Sequence, residues 1–551
     1  MNARELYLDI IEGSLAVYEK ERIYNFIERV RHEGLSEHGF PRIGANIGLL
    51  MAYGRSLDYY PIFVEIMDIC AHSIPRVYAA NDFSVREVVC ALALLEKRGV
   101  CDKNLIEKWK KEYAEIDPWH CYSMIAKTPD TPIGNWAMFN AVSEYVRCRW
   151  CKIDDLSFVD HEISSQLLSL DENGMYKDPG CPMIYDVVAR FLMSAILLYG
   201  YDGKHREAME NALDRSIELT LKMQSVTGEF PYGGRSNQFI HNEPMLASLF
   251  EMEATRLYKK GETALASRCR AAAIKAAEHT LSRLDDPDLC HMKNAFPRDS
   301  FIGSEPYGYF DKYMITAASN ISFALFFANE NITPSIAPTD EGFYSVSTSE
   351  DFHKTFLNAH GYFLELDSKA DFHYDANGLG RIHKKGCEST VCLSLPFPPK
   401  TESIKLECDN PRPMSLCAFV DTESERLCGS EGYANYTLTD SGRDFMDFDL
   451  EMNGRVIRQE HRIGKNGVDI IFCGADGFML PVFLFDGKNE TDVEICENRI
   501  SVSYKNSRCV YTCDTKGISD EGVYHNRNGR YRIFAVKGSR VHIELGEKYE
   551  I

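Results

Sequence analysis

Up to about residue 335 the apolar residues recur at helical spacing, and beyond about Gly342 they recur at the spacing of strands. Helical segments are read at 3–18, 20–32, 46–54, 60–72, 84–98, 103–114, 135–150, 158–168, 182–199, 204–224, 242–260, 262–284 and 311–328, with Gly, Pro, Asn or Asp at the breaks. Six of the helices begin in polar loops marked by glycine or proline or rich in Asn and Asp: Gly44-Ala-Asn46, Asn81-Asp-Phe-Ser84, Gly134-Asn-Trp136, Asp178-Pro-Gly-Cys-Pro182, Arg235–Glu243 and Ser304-Glu-Pro-Tyr-Gly-Tyr-Phe-Asp311. Between each consecutive pair there is room for a helix running back. Helices that alternate up and down in a closed ring gather all six decorated N-termini at one end, so the spacing predicts an (α/α)6 toroid. An open solenoid is the alternative, and it would show a fixed-period repeat, which is not seen here.

The remainder reads as short strands at 352–357, 362–366, 390–395, 415–420, 433–438, 445–452, 468–473, 478–485, 499–504, 531–536 and 540–545, separated by turns such as Asn453-Gly454 and Asp486-Gly487. This is the pattern of an antiparallel β-sandwich. The prolines of Thr333–Gly342 break the last helix, so the expected organisation is a toroid over 1–335 and a β-sandwich over 336–551. The basic, glycine-rich segment His373–Gly386 is expected to be a loop leaning over the toroid mouth, bringing Arg381 and His383 to a substrate; a solvated hairpin is the plainer reading.

A formal net charge of −21 and a pI near 5.3 argue against nucleic acid as a main partner. No apolar run is long enough to cross a bilayer, and the N-terminal residues lack the pattern of a secretory signal, so a soluble cytoplasmic protein is expected. The 18 cysteines show no metal-site spacing; Cys148 and Cys151 have no second pair to complete a zinc cage, and buried reduced thiols are expected. The sequence leaves a homo-oligomer open.

The densest polar stretch is Thr227–Glu243. Gly233 and Gly234 permit a sharp turn that delivers Arg235, Asn237, Gln238, His241, Asn242 and Glu243 to the start of the next helix, whose N-terminus favours an anion. Capping alone accounts for Asn242 or Glu243, but one cap needs one oxygen, not a cluster of donors. At other helix starts Asn135 offers an amide beside the Trp136 indole, a surface for a sugar ring. Tyr185 and Asp186 open the helix containing Arg190, and Ser304–Tyr313 brings Glu305, Tyr307, Tyr309, Asp311, Lys312 and Tyr313. Core packing is the stronger reading of Trp136, and Tyr185 or Asp186 can simply pair with a neighbour.

Two chemistries fit. Elimination at a uronic acid must neutralise a carboxylate, remove the adjacent proton and protonate the leaving oxygen, tasks that suit Asn, Gln, Arg, His and Tyr. Glycoside hydrolysis needs two carboxyl groups across the bond, and Asp178, Asp186, Glu229, Glu243, Glu305 and Asp311 are the candidates. A non-catalytic carbohydrate-binding protein is a third reading. No catalytic metal or other cofactor is expected, because His241 has no second His at ligand spacing.

With Gly233-Gly-Arg-Ser-Asn-Gln238 in one loop, Asn135-Trp136 in another, tyrosines before a late inner helix and a His-bearing β-domain segment, the chain resembles the heparinase II/III-like and alginate-lyase-like polysaccharide lyases. The resemblance implies cleavage of uronate-containing oligosaccharides by β-elimination. Asn237 or Gln238 with His241 would neutralise the acid, and Tyr185, Tyr307 or Tyr313 would donate the proton. Asn135-Trp136 with Gly234-Arg-Ser236 is also similar to toroidal glucuronidases, which implies hydrolysis instead.

Overall fold

Six inner helices close into a ring. In the computed structural model, which describes residues 2–76, 81–286, 289–398, 402–407 and 412–548, the helices Gly39–Ala52, Asn81–Arg98, Trp136–Cys151, Met183–Tyr199, Asn242–Lys260 and Thr316–Phe327 pack side by side in that order, and the last contacts the first. Outer helices return between them: Tyr60–Ser73 lies on Gly39–Ala52, Ser157–Leu167 on Trp136–Cys151, Arg206–Met223 on Met183–Tyr199, and Thr263–Leu284 on Asn242–Lys260. The two classes differ in what they can bury. Every residue of Gly39–Ala52 is buried, whereas the outer Lys20–Glu33 buries only Ile23, Phe26, Ile27 and Val30, a single stripe at helical spacing.

The Gly39–Ala52 helix corrects one expectation. Gly44-Ala-Asn46 is not a loop before a helix but lies in the helix interior, which starts at Gly39. The glycines serve close packing: a Cβ on Gly44 would lie 2.5 Å from the Ile66 side chain, and one on Gly48 2.6 Å from Phe63, both on the neighbouring helix. Pro41 falls in the first turn, where its missing N–H costs nothing.

Every strand pairing described in the C-terminal half is antiparallel. An eight-stranded sheet runs Asp492–Cys496, Arg499–Tyr504, Ser507–Cys513, Arg540–Glu547, Gly467–Cys473, Arg455–Gly464, Phe445–Met452, Asn435–Ser441. A five-stranded sheet runs Ile518–Asn526, Gly529–Val536, Gly477–Phe485, Cys417–Asp421, Arg426–Cys428, and the two share a core that includes Ile470, Val502 and Ile543 from the first and Leu480, Val482 and Ile533 from the second. Arg455–Gly464 escapes a hydrophobicity reading because two of its four buried positions, Gln459 and His461 beside Ile457 and Ile463, are polar. The expected strand at 390–395 is irregular chain.

A third sheet, Tyr344–Ser347, Lys354–Ala359, Tyr362–Asp367 and Gly378–Lys384, sits between toroid and sandwich. Its inner strands are buried on both faces: Leu357, Leu364 and Leu366 join the sandwich core, and Phe356 and Phe363 join the toroid core. Strand alternation puts Lys354, Glu365 and Asp367 on the same face as those phenylalanines. The segment expected to be a basic loop is therefore largely a strand. Arg381 and His383 are fully buried at the seam with the toroid instead of reaching over its mouth.

No helix among the described residues is long and apolar enough to cross a membrane. Buried Cys70, Cys90, Cys269 and Cys417 are free thiols.

Candidate active site

A cavity of about 530 Å³ opens where the inner helices begin. Every inner helix contributes: Arg42 from the first turn of Gly39–Ala52 with His38 just before it, Phe83 from the second, Trp136 and Phe139 from the third with Asn135 at its cap, Ile184, Tyr185 and Val188 from the fourth, Met245 from the fifth with His241 at its cap, and Thr316 and Asn320 from the sixth. Arg235, Ser236 and Tyr307 come from the preceding loops, Lys312 and Tyr313 from the short helix Phe310–Tyr313, and Tyr374 from the β half.

One wall is aromatic. Phe83 meets Trp136 and Phe139 edge to face, each at 4.7 Å between ring centres. Opposite chemistry gathers around His241, whose ring lies against Phe239 at 5.1 Å and Tyr313 at 5.5 Å. Burial, and then the charges of Arg42, His291 and Lys293, push the His241 pKa down to about 3, so the imidazole is neutral. Its Nδ1 is buried and accepts no hydrogen bond. His38 is neutral for the same first reason, with Arg42 next; because Arg42 donates to its Nδ1 at 2.8 Å, the proton of the neutral ring sits on Nε2.

Ser236 links the hydroxyls of Tyr185 and Tyr307 at 2.8 Å each. The loop that carries it is held in an unusual backbone. Ser236 and Gln238 have φ of 57° and 64°, a conformation that costs a side-chain-bearing residue about 1–3 kcal/mol each. Long-range anchors hold it there: Gly234 N donates to Asp375 at 2.6 Å, Ser236 N to Glu305 at 2.6 Å, and Arg527 to the Asn237 carbonyl at 3.2 Å. Gly234 has φ 76°, and a Cβ on it would stand 2.7 Å from Pro182, so no other residue fits.

Of the residues singled out from sequence, Asn135, Trp136, Tyr185, Arg235, His241, Tyr307 and Tyr313 line the cavity. Asn237, Gln238, Asn242, Glu243, Asp186, Arg381 and His383 do not, and their partners explain why. The Asn237 side-chain oxygen Oδ1 accepts from the Gln238 backbone and side chain at 2.8 and 3.2 Å. Asn242 donates back to Ser236 O, so it braces the loop. Glu243 pairs with Lys293 and accepts from Phe230 N at 2.9 Å. Asp186 is buried against Arg190. Arg381 bonds Glu365 at 3.1 Å and the Phe230 carbonyl at 2.8 Å; His383 lies between Ser225 at 2.8 Å and Ser394 at 3.1 Å, with Glu229 at 3.6 Å.

No carboxylate lines the cavity among the described residues. The six acidic candidates are each committed to a cation: Asp178 to Arg235, Asp186 to Arg190, Glu229 to Lys293, Glu243 to Lys293, Glu305 to Arg527, and Asp311 to Arg22. No three His, Cys, Asp or Glu side chains among the described residues gather as a metal site.

Sequence reasoning missed His38, Arg42, Asn320 and Tyr374, and it placed Lys312 and Phe83 in the segments at this end without giving either a role. Pro41, read as the first-turn proline of a helix, is the signal that points to the first two.

No family model matches this sequence, and no curated protein matches it. Among solved structures the chain is similar to heparinase III, at 9% identity over 97% of this chain and 91% of that one, with a TM-score of 0.36. It is similar to the heparan sulfate lyase from Pedobacter heparinus at 12% identity, over 84% and 76% of the two chains, with a TM-score of 0.34. It is also similar to a chondroitin AC lyase from Streptomyces coelicolor A3, at 8% identity over 99% and 79%, with a TM-score of 0.48.

Proposed function

We propose that the protein is a lyase that cleaves uronate-containing oligosaccharides by β-elimination. The observation that carries this reading is the composition of the cavity: a neutral imidazole, phenols, amides and cations, with no carboxylate among the described lining residues. Hydrolysis by two carboxyl groups has nothing to work with there.

In this reading the substrate's sugar ring lies along Phe83 and Trp136, and its carboxylate meets the cations and the amides of Asn135 and Asn320. Neutralising that group lowers the cost of the negative charge that develops when the C5 proton leaves. His241 takes the proton. A ring buried and under the charge of Arg42 is a weak base on its own, and the arriving carboxylate supplies the negative charge that makes its protonation less costly. The C4–O4 bond breaks as the C4–C5 double bond forms, and Tyr313 protonates the leaving oxygen. Burial raises the pKa of all three phenols and keeps them protonated, and Tyr313 suits this step better than Tyr185 or Tyr307 because the other two hydroxyls are already bonded to Ser236.

Incubation with uronate oligosaccharides and measurement of absorbance near ~235 nm, where a conjugated unsaturated uronate absorbs, tests the reading, since only elimination makes that double bond. New reducing ends without the absorbance would replace the lyase by a hydrolase.

A further inference from the structure

The three cations that line the cavity are not equivalent. Arg42 is spent inside the protein, on Glu87 at 3.0 Å, on His38 and on Thr316 at 2.9 Å. Arg235 is paired with Asp178 and lies over the Tyr185 ring at 4.5 Å. Lys312 has no ion pair and no side-chain hydrogen bond among the described residues. Its contacts are the faces of Tyr309 and Tyr313, each 5.6 Å from the ammonium.

The acidic groups near it are turned elsewhere. Asp311, its neighbour in sequence, points outward to Arg22 at 2.6 Å and Arg29 at 3.7 Å. Glu37 feels Lys312 electrostatically, but its two oxygens accept the Gly39 and Phe40 amides at 2.6 and 3.2 Å, satisfying the start of that inner helix. A half-buried ammonium is left facing the cavity with Glu37 acting on it only through space and no carboxylate in direct contact. An anion is what that arrangement lacks.

We infer that Lys312 is the recognition residue for the anionic group of the substrate, a carboxylate or a sulfate carried on the sugar. The inference rests on the elimination reading for the ring that carries the group, not for the charge itself. It places the anion beside Tyr313 and His241, because the same lysine lies over the Tyr313 ring and that ring lies against His241. Arg42 and Arg235 then act on the anion through their fields, while Lys312 supplies the direct contact.

Calorimetric binding of glucuronate, glucose 6-sulfate and glucose to the full chain and to Lys312→Gln and Lys312→Arg is the test. Wild type is expected to bind at least one anionic sugar about ten- to a hundredfold more tightly than glucose, the range of a charged hydrogen bond. Lys312→Gln should bring that ratio close to one, and Lys312→Arg should keep most of it. The better-bound of the two anions identifies the group as carboxylate or sulfate. Thermal unfolding checks that the variants fold, and Lys312→Met replaces the glutamine variant if that one does not. Equal binding of all three sugars by wild type, or a preference that survives Lys312→Gln, overturns the assignment. The two claims separate cleanly. A Lys312-dependent preference without product at ~235 nm would end the elimination reading only, and product formed with an unchanged KM in Lys312→Gln would end the Lys312 assignment only.

Discussion

Arg527 Nη2 donates to Glu305 Oε1 at 2.7 Å, and both residues are almost completely excluded from solvent although they lie 222 positions apart. The same guanidinium donates to the carbonyls of Asn237 and Gly303, at 3.2 and 3.0 Å, and Glu305 accepts the Ser236 amide. A side chain from the turn between Ile518–Asn526 and Gly529–Val536 thus joins the two toroid loops that carry Ser236 and Tyr307.

Arg527→Gln should therefore damage the site from the far half of the chain. Removing one partner of a buried pair leaves the other uncompensated, at about 3–5 kcal/mol. A fall of several degrees in Tm is expected, together with a loss of kcat greater than the change in KM, since the loops lose their registration while Lys312 and Trp136 stay in place. An unchanged kcat in a folded variant would refute the clamp.

His241→Ala and Tyr313→Phe should each lower turnover on a uronate oligosaccharide on the order of 10²-fold or more with little effect on Tm. Glu243→Gln should do the opposite: it strips Lys293 of its closest partner and lowers Tm, but it removes no group from the cavity. Near-wild-type turnover for the first two with a dead third would sink the lyase assignment.

The pH profile follows from the same burial. His241 in the free enzyme gains a proton only near pH 3, so kcat/KM should show no acid limb from this residue above about pH 4. Tyr313 is pushed well above its ordinary value of 10.0, so no alkaline limb from it is expected below that pH. Steady-state rates between pH 5 and 9 check both; a limb near 6.5 that disappears in His241→Gln would contradict them.

His461 tests linkage away from the site. It is buried in the sandwich, bonded to the Met446 carbonyl at 3.1 Å, and burial lowers its pKa from 6.5 to about 4. The unfolded chain binds its proton below pH 6.5 and the folded one only below about 4, so stability is fully present above 6.5 and is lost as pH falls through that window. Relative to His461→Gln, wild type should lose about 2 kcal/mol between pH 7 and 5, read from urea midpoints at the two pH values.

What could be read in advance was what repeats locally. The helical period, the switch near residue 335 and the polar starts of the inner helices are written in short windows, and so Asn135, Trp136, Arg235 and His241 could be named. Lys312 was visible as one of several polar residues before the last inner helix, but its lack of a partner depends on where Asp311 and Glu37 turn. His38 and Arg42 were hidden by Pro41 and Gly44, which look like breakers and are a first-turn proline and a packing glycine. Arg381 and His383 were misplaced because a strand buried on both faces carries polar groups inward, where a basic run in sequence suggests a solvated loop. Asp375 and Arg527 had no local signature at all, since each acts on a loop far away in the chain.

The loop that presents Arg235 and Ser236 also has a history during synthesis. Its glycine turn is tied to Asp375 and its Asn237 carbonyl to Arg527, residues that leave the ribosome long after the loop itself. The helices can collapse onto one another while the β half is still being made, yet the strained backbone at Ser236 and Gln238 has only its contacts within the helical half, such as Glu305 and Asn242, until those anchors arrive. A nascent chain of this protein should carry a complete ring of helices before it carries a usable site, and a product ending a few residues short of Arg527 would remain in that condition.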